Sequence, residues 1–116
     1  DIGKVKGLQF TTEAEYTDAG KLIGHITLGL EILNESVENM NIDDEILLKL
    51  KHIILSHQGS FQNGTPVPPR FPEALFIHLL DTFDGKMDIM QREINNDPNI
   101  NWTNKHNHFY RELWKK

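Results

Sequence analysis

Apolar residues spaced three or four positions apart constrain the fold of this chain more than any other feature. They recur at this spacing in three stretches, 18–40, 44–58 and 72–96, as expected for amphipathic α-helices. No stretch alternates apolar and polar residues as a half-buried strand would. We therefore predict an all-α fold. The apolar positions are Leu22, Ile26, Leu30, Leu33 and Val37, then Ile46, Leu50 and Ile53, then Phe76, Leu80, Phe83, Met87, Met90 and Ile94.

Capping residues and prolines place the helix ends. Asp43 or Asp44 can cap the second helix, and Gly59 can end it in a left-handed conformation. The stretch from Gly59 to Pro72 contains four of the five prolines, which excludes a helix or a central strand there. Pro72 suits the first turn of the third helix. An ordered loop is therefore expected between the second and third helices.

The remaining segments are expected to be loops and one short helix. Residues 8–17 are polar and unpatterned, and we predict a loop for them. A break at 95–107 precedes a predicted short helix at about 108–115. The 116 residues suffice for one domain, with the helices that matter for function within about 1–96.

Composition excludes several classes of protein. The chain has no cysteine, which rules out disulfides, thiolate zinc sites, iron–sulfur clusters and a cysteine nucleophile, and which suggests a reducing cytoplasm. No apolar run approaches the roughly 18 residues of a membrane helix, so no membrane partner is expected. The net charge of −5 argues against indiscriminate coating of polyanions.

Two histidines of the second helix face different ways. His57 lies 11 positions after Ile46 and therefore about 20° from it around the helix, whereas His52 lies about 240° away. His57 is thus predicted on the apolar face and His52 off it. A buried ring needs a polar partner, because an unpaired buried polar group costs about 1–3 kcal/mol.

Other candidate residues have two interpretations each. His25 flanks the apolar stripe of the first helix, and an isolated histidine there is usually a satisfied core or surface residue. Asp81 lies on the polar side of the third helix, where a solvated face is the simpler interpretation. Alternatively, Asp81 joins His25 and His57 in a site of oxygen and nitrogen ligands. Such ligands suit Mn²⁺, Mg²⁺, Co²⁺, Fe²⁺ or Zn²⁺.

Several short motifs in order carry a family resemblance. DIGK at 1–4, GH at 24–25, IILSHQG at 53–59 and LLD at 79–81 resemble signatures of the HD-domain metal-dependent phosphohydrolases. The surrounding sequence, with GTPV at 64–67 and HLLD at 78–81, is similar to that of the YhaM-type 3′–5′ exoribonucleases. The resemblance covers roughly residues 1 to 90. It implies an HD-domain-like helical bundle.

The resemblance also implies a two-metal phosphodiesterase site. In it, Asp1 bridges two divalent ions, most often Mn²⁺, Mg²⁺ or Co²⁺. His25 and His57 bind the second ion, and Asp81 binds the first. Lys4 is implied to neutralise phosphate oxygens, although an exposed lysine at a helix end is the simpler interpretation. Asp1 and Lys4 are the implied catalytic residues.

The implied substrate is RNA. The loop residues Gly64, Thr65 and Pro66 are implied to bind it, single-stranded DNA is a further possible substrate, and a homo-oligomer is expected. Two rival functions stay open. One is an HD phosphohydrolase acting on nucleotides or cyclic dinucleotides, and the other is a non-catalytic helical module for oligomerisation or regulation.

The chain departs from the family pattern at its start. The HD pair is a histidine followed by an aspartate, and this chain begins at the aspartate, Asp1. The paired histidine and a further histidine of an earlier helix are absent from the sequence. We therefore expect an HD domain truncated at its N-terminal side, which holds at most one weak metal site and is inactive alone.

The C-terminal segment is aromatic and basic. Residues 102–116 contain Trp102, Phe109, Tyr110 and Trp114, and four basic residues against one acidic residue follow from position 105. Base stacking combined with phosphate attraction is one interpretation. An amphipathic helix that docks Phe109, Tyr110 and Leu113 on the body or on a neighbouring subunit is the other, and we favour docking.

Overall fold

The computed structural model describes residues 1–10 and 14–116, which form two compact units, 1–78 and 79–116. Helices dominate the described residues, so the predicted all-α class is confirmed, with one short strand pair in addition. The elements are α1 (Lys4–Gly7), β1 (Leu8–Phe10), β2 (Ala14–Tyr16), α2 (Asp18–Leu22), α3 (His25–Val37), α4 (Asp44–Ser56), a 3₁₀ turn (Phe61–Asn63) and α5 (Pro72–Asn96).

The predicted ends of the second and third helices agree with the structure. The Asp43 carboxylate caps α4 by accepting hydrogen bonds from the backbone N–H groups of Glu45 and Ile46, at 2.9 and 3.1 Å. Gly59, with φ of +81°, lies in the left-handed region soon after the helix ends. Helix α5 begins at Pro72 as expected.

The prediction of one helix over 18–40 is wrong. The chain breaks between α2 and α3, because Gly24 has φ of +82°, a conformation that no helix residue adopts. Leu22 lies before the break and is 86% exposed, whereas Ile26 lies after it and is buried. The break makes His25 the first residue of α3.

The predicted loop at 8–17 contains a small antiparallel pair instead. Strands β1 and β2 pair Leu8 with Tyr16 and Phe10 with Ala14; residues 11–13 of the predicted loop lie outside the described residues. The Thr17 hydroxyl donates to the Lys6 carbonyl oxygen at 3.0 Å and accepts from a backbone N–H of α2. This hydroxyl joins the end of the pair to both neighbouring helices.

Glycines allow α1 to lie directly on α3. A β-carbon placed at Gly3 would come within 1.7 Å of the His25 carbonyl oxygen and 2.6 Å of the Gly29 nitrogen. The two backbones therefore touch where any other residue would hold them apart. Since Asp1 immediately precedes α1, this contact brings the Asp1 side chain to the start of α3.

The prediction of a short helix at 108–115 is also wrong. Residues 101–115 instead form a two-stranded turn, called the tail ribbon below, in which Trp102 lies opposite Trp114. The Asn107 side-chain amide donates to the carbonyl oxygens of Asn104 and Arg111, at 2.7 and 2.6 Å. Such bonds from asparagine to the backbone compete with helical hydrogen bonds, which explains the absence of the helix here.

Two backbone hydrogen bonds join the strands of the tail ribbon. The Thr103 N–H donates to the Leu113 carbonyl oxygen, and the Lys115 N–H donates to the Asn101 carbonyl oxygen, both at 3.0 Å. Leu113 is buried, whereas Tyr110 is 88% exposed. Of Phe109, Tyr110 and Leu113, which we expected to dock together, only Leu113 is therefore buried.

Within residues 1–10 and 14–116, no helix has the length and apolar character needed to cross a membrane.

Candidate metal centre

Three side chains of the first unit meet at one point. Asp1, His25 and His57 each offer a ligand atom, and these atoms all lie within 4.8 Å of one another. The Asp1 Oδ1 atom is 3.1 Å from His57 Nε2 and 3.4 Å from His25 Nε2. The three come from separate parts of the chain: the residue before α1, the first residue of α3 and the residue after α4.

The His57 ring is held in one orientation by the end of α4. Its Nδ1 atom donates to the Ile54 carbonyl oxygen at 2.7 Å. A carbonyl only accepts hydrogen bonds, so this contact places a proton on Nδ1 and, in the neutral ring, leaves the lone pair of Nε2 unprotonated. The side chain is only 8% exposed, and Nε2 points at Asp1. Carbonyl contacts of this kind orient histidine ligands of metal ions.

The donor set fits a divalent cation. An ion about 2.0–2.1 Å from each donor atom holds neighbouring donors roughly 3 to 3.4 Å apart, which is the separation of the Asp1 oxygen from each of the two histidine nitrogens. A carboxylate oxygen and an unprotonated ring nitrogen both carry lone pairs, so their approach requires a cation or a second proton between them. One oxygen and two nitrogen ligands suit Mn²⁺, Co²⁺, Fe²⁺ or Zn²⁺.

Lys4 contacts the other oxygen of the same carboxylate. Its Nζ donates to Asp1 Oδ2 at 2.5 Å, across three positions of the chain. The Lys4 side chain is 46% exposed and the Asp1 side chain 28%. Lys4 thus lies at the solvent side of the cluster, where its charge is available to an anion.

Gln58 is a member of the site that sequence reasoning missed. Its amide Nε2 lies 3.2 Å from His25 Nε2, within hydrogen-bond distance. The only signal in the sequence was its position directly after His57. Gln58 and His25 also line a surface cavity of about 220 Å³ together with two loop residues, Gly64 and Pro66.

Two of the three predicted substrate residues line this cavity, and the third does not. Gly64, with φ of +86°, and Pro66 contribute to its wall. Thr65 is 3% exposed, and its hydroxyl donates to the Leu55 carbonyl oxygen at 2.6 Å. Thr65 therefore fixes the loop against α4, while its neighbours face the cavity.

His78 supports the cluster from α5. Its Nδ1 atom donates to the His57 carbonyl oxygen at 2.8 Å. A β-carbon at Gly59 would lie 2.1 Å from a carbon of this ring, so the glycine makes room for it. The sequence alone does not single out His78 for this role, and Gly59, two residues after His57, is the signal that could have indicated it.

The structure separates His52 from the cluster, in the direction that the helical-wheel argument predicts. Its Nε2 accepts a hydrogen bond from the Arg70 backbone N–H at 3.1 Å, and its ring lies 5.1 Å from that of Phe71. His52 thus has partners of its own on another face of α4.

Asp81 lies on α5 in the second unit and is exposed. The cluster found among the described residues comprises one aspartate and two histidines of the first unit. The assignment of Asp81 as ligand of a further ion stays a prediction. His106 and His108 lie in the tail of the second unit.

Comparison with known proteins adds an independent finding. The chain is 42% identical over 94 residues to the 3′-5′ exoribonuclease YhaM of Bacillus subtilis, 43% to that of Bacillus velezensis and 39% to that of Oceanobacillus iheyensis. Each match covers 81% of this chain, which spans about 30% of the length of these relatives. No family model matches, and no solved structure matches significantly. The predicted resemblance is thereby confirmed: over 94 residues the chain is similar to the YhaM exoribonucleases.

Proposed function

We propose that this chain contributes the metal-binding part of a 3′–5′ exoribonuclease, which hydrolyses the phosphodiester bonds of RNA. The observation that carries the proposal is the convergence of Asp1, His25 and His57 within 4.8 Å. The name of the relatives supports the substrate and the direction of attack.

The residues have distinct proposed roles. Asp1, His25 and His57 would hold one divalent ion, and Asp81 is the proposed ligand of a further ion. When bound, such ions stabilise the attacking and leaving oxygens of an in-line displacement at phosphorus. Lys4 restrains the Asp1 carboxylate and neutralises non-bridging phosphate oxygens.

The cavity beside His25 is the proposed binding site for the nucleotide at the cleaved bond. Its volume of about 220 Å³ is small, and its wall combines the Gln58 amide with the loop residues Gly64 and Pro66. Gln58 can donate and accept hydrogen bonds to a ribose hydroxyl or a base edge. Thr65 acts indirectly, by fixing the loop.

The proposal extends to the identity of the metal ion, the cellular location and the oligomeric state. Mn²⁺, Mg²⁺ or Co²⁺ is the proposed ion, with Fe²⁺ or Zn²⁺ as further candidates for the same ligands. A cytoplasmic location and a homo-oligomeric state are proposed for the active protein. Among the described residues one group of ligands is found, and we expect the 116 residues alone not to degrade RNA efficiently.

The proposal is tested in a version of this protein extended to the length of its relatives. His57→Ala should lower exoribonuclease turnover at least about 100-fold, because losing a ligand costs more than losing its supporting partner, which already costs 10–100-fold. His52→Ala removes the same ring from the same helix and is the matched control, for which we expect near-normal turnover.

Equal turnover in the two variants, with both folded by circular dichroism, would contradict the role of His57. The same proteins should be assayed on cyclic dinucleotides and mononucleotides. Preferential hydrolysis of these small substrates would replace RNA with the rival substrate class.

A further inference from the structure

The two tryptophans of the chain lie opposite each other in the tail ribbon. The backbone hydrogen bonds of the ribbon flank this pair on both sides, so Trp102 and Trp114 form a non-hydrogen-bonded antiparallel pair. Side chains of such a pair project from the same face and start from α-carbons only about 4.5 Å apart. The indoles are 53% and 58% exposed. The ribbon therefore presents two neighbouring aromatic groups to solvent.

Hydrogen bonds of Asp97 and Lys115 hold the backbone of the tail ribbon in place. The Asp97 carboxylate accepts hydrogen bonds from the backbone N–H groups of Asn99 and Asn104, at 2.9 and 3.0 Å. The Lys115 ammonium donates to the carbonyl oxygens of Asp97 and Asn99, at 2.5 and 2.7 Å. These contacts join the end of α5 to both strands of the ribbon. A preformed platform lowers the entropy lost when a ligand binds.

Charge distinguishes this segment from the rest of the chain. The chain as a whole has 17 acidic and 12 basic residues, yet from position 105 onward it has four basic residues and one acidic residue. Lys105, Arg111 and Lys116 are exposed. The positive charge of this segment therefore complements a polyanion, whereas two copies of the basic ribbon would repel each other.

We propose that Trp102 and Trp114 form a stacking platform for bases of single-stranded RNA, with the exposed basic residues of the tail contacting its phosphates. Aromatic side chains next to basic residues bind single strands in this way, and every base has a face that can stack. The proposal deepens the proposed function, on which its choice of RNA rests. It also revises our sequence-based preference for docking of this segment on protein.

The experiment uses the whole 116-residue chain without divalent ions. Since both tryptophans lie in the ribbon, intrinsic tryptophan fluorescence reports on this site alone. A short oligouridylate should quench the fluorescence, whereas inorganic polyphosphate, which has charge but no bases, should not. The affinity for labelled RNA, measured by anisotropy, should fall about 10-fold or more in Trp102→Ala and in Trp114→Ala.

Two variants separate stacking from folding. Trp102→Phe keeps an aromatic face and should retain most of the affinity. Phe10→Ala removes an aromatic ring that is 78% exposed in β1 and should leave binding unchanged. Circular dichroism verifies that each variant is folded.

Several results would overturn the proposal. Unchanged RNA affinity in both tryptophan-to-alanine variants, or equal quenching by polyphosphate, would show that the indoles do not stack on bases. Fluorescence that changes with protein concentration alone, together with a dimer that Trp114→Ala dissociates, would show that the platform binds another copy. If RNA quenches the fluorescence but the extended protein has no nuclease activity, only the proposed nuclease function is refuted. If the extended protein is active but RNA does not quench the fluorescence, only the stacking platform is refuted.

Discussion

Gly3 makes a sharp test of how the fold positions Asp1, because it has no side chain and cannot bind a metal itself. A β-carbon at this position would lie 1.7 Å from the His25 carbonyl oxygen, whereas real contacts of this kind begin near 3.0 Å. In Gly3→Ala, α1 must therefore move away from α3 by at least about 1.3 Å, the difference between these two distances. The obstacle is backbone, so no side-chain rotation can relieve it.

Two effects follow from this displacement. Overpacking of this kind costs typically about 1–3 kcal/mol of the free energy of unfolding, and we expect the upper part of this range. Asp1 moves with α1, and metal sites tolerate errors of only about 0.2 Å in ligand distance. We therefore expect the affinity for Mn²⁺ to fall at least about 10-fold, measured by isothermal titration calorimetry, with stability followed by far-ultraviolet circular dichroism.

Gly85→Ala is the matched control. A β-carbon at Gly85 meets nothing within 4 Å, and this residue lies inside α5. The substitution should stabilise the chain by about 0.5–1 kcal/mol, since glycine is unfavourable inside helices, and should leave Mn²⁺ binding unchanged. If Gly3→Ala is as stable as the original chain and binds Mn²⁺ equally well, the packing of α1 on α3 does not position Asp1.

Two further substitutions test the loop and the tail. Thr65→Val keeps the shape of the buried side chain but leaves the Leu55 carbonyl oxygen without its hydroxyl donor, and should lower the free energy of unfolding by about 1–3 kcal/mol in urea titrations; an unchanged midpoint would show that the bond is dispensable. Hydrogen bonds from the Asn104 and Asn99 backbone, with Lys115 nearby, lower the pKa of Asp97 from its ordinary 3.8. The Asp97 carboxylate therefore stabilises the folded tail above about pH 3.8, and this stabilisation is lost as the pH falls through the lowered pKa. In Asp97→Asn, tryptophan fluorescence should report a smaller loss of tail stability between pH 6 and pH 3 than in the original chain, and an identical pH dependence would contradict this role.

Local signals in the sequence predicted the ends of α4 and α5 well. The Asp43 cap, the glycine at position 59 and Pro72 each act on the backbone within a few residues, so their effect does not depend on the rest of the fold. The break at Gly24 escaped prediction because the apolar spacing continues across it. The strand pair escaped because each strand has three residues, too few to show a pattern.

The tail and the site depended on contacts between distant residues. The sequence does not show whether the asparagines near position 104 precede a helix or stabilise another structure. The structure shows that their side chains make the hydrogen bonds of the tail ribbon. The helical wheel separated His57 from His52, because both lie on one helix of regular geometry. The roles of Gln58 and Gly3 required knowledge of which elements touch, which the sequence does not give.

Metal binding by the 116-residue chain tests the central claim most directly. Mn²⁺ titration, followed by electron paramagnetic resonance, should show one weakly bound ion per chain at neutral pH. This ion should be lost in His57→Ala and retained in His52→Ala, with both variants folded by circular dichroism. Two tightly bound ions in the original chain, or equal binding in the two variants, would contradict the assignment of Asp1, His25 and His57 as the metal centre.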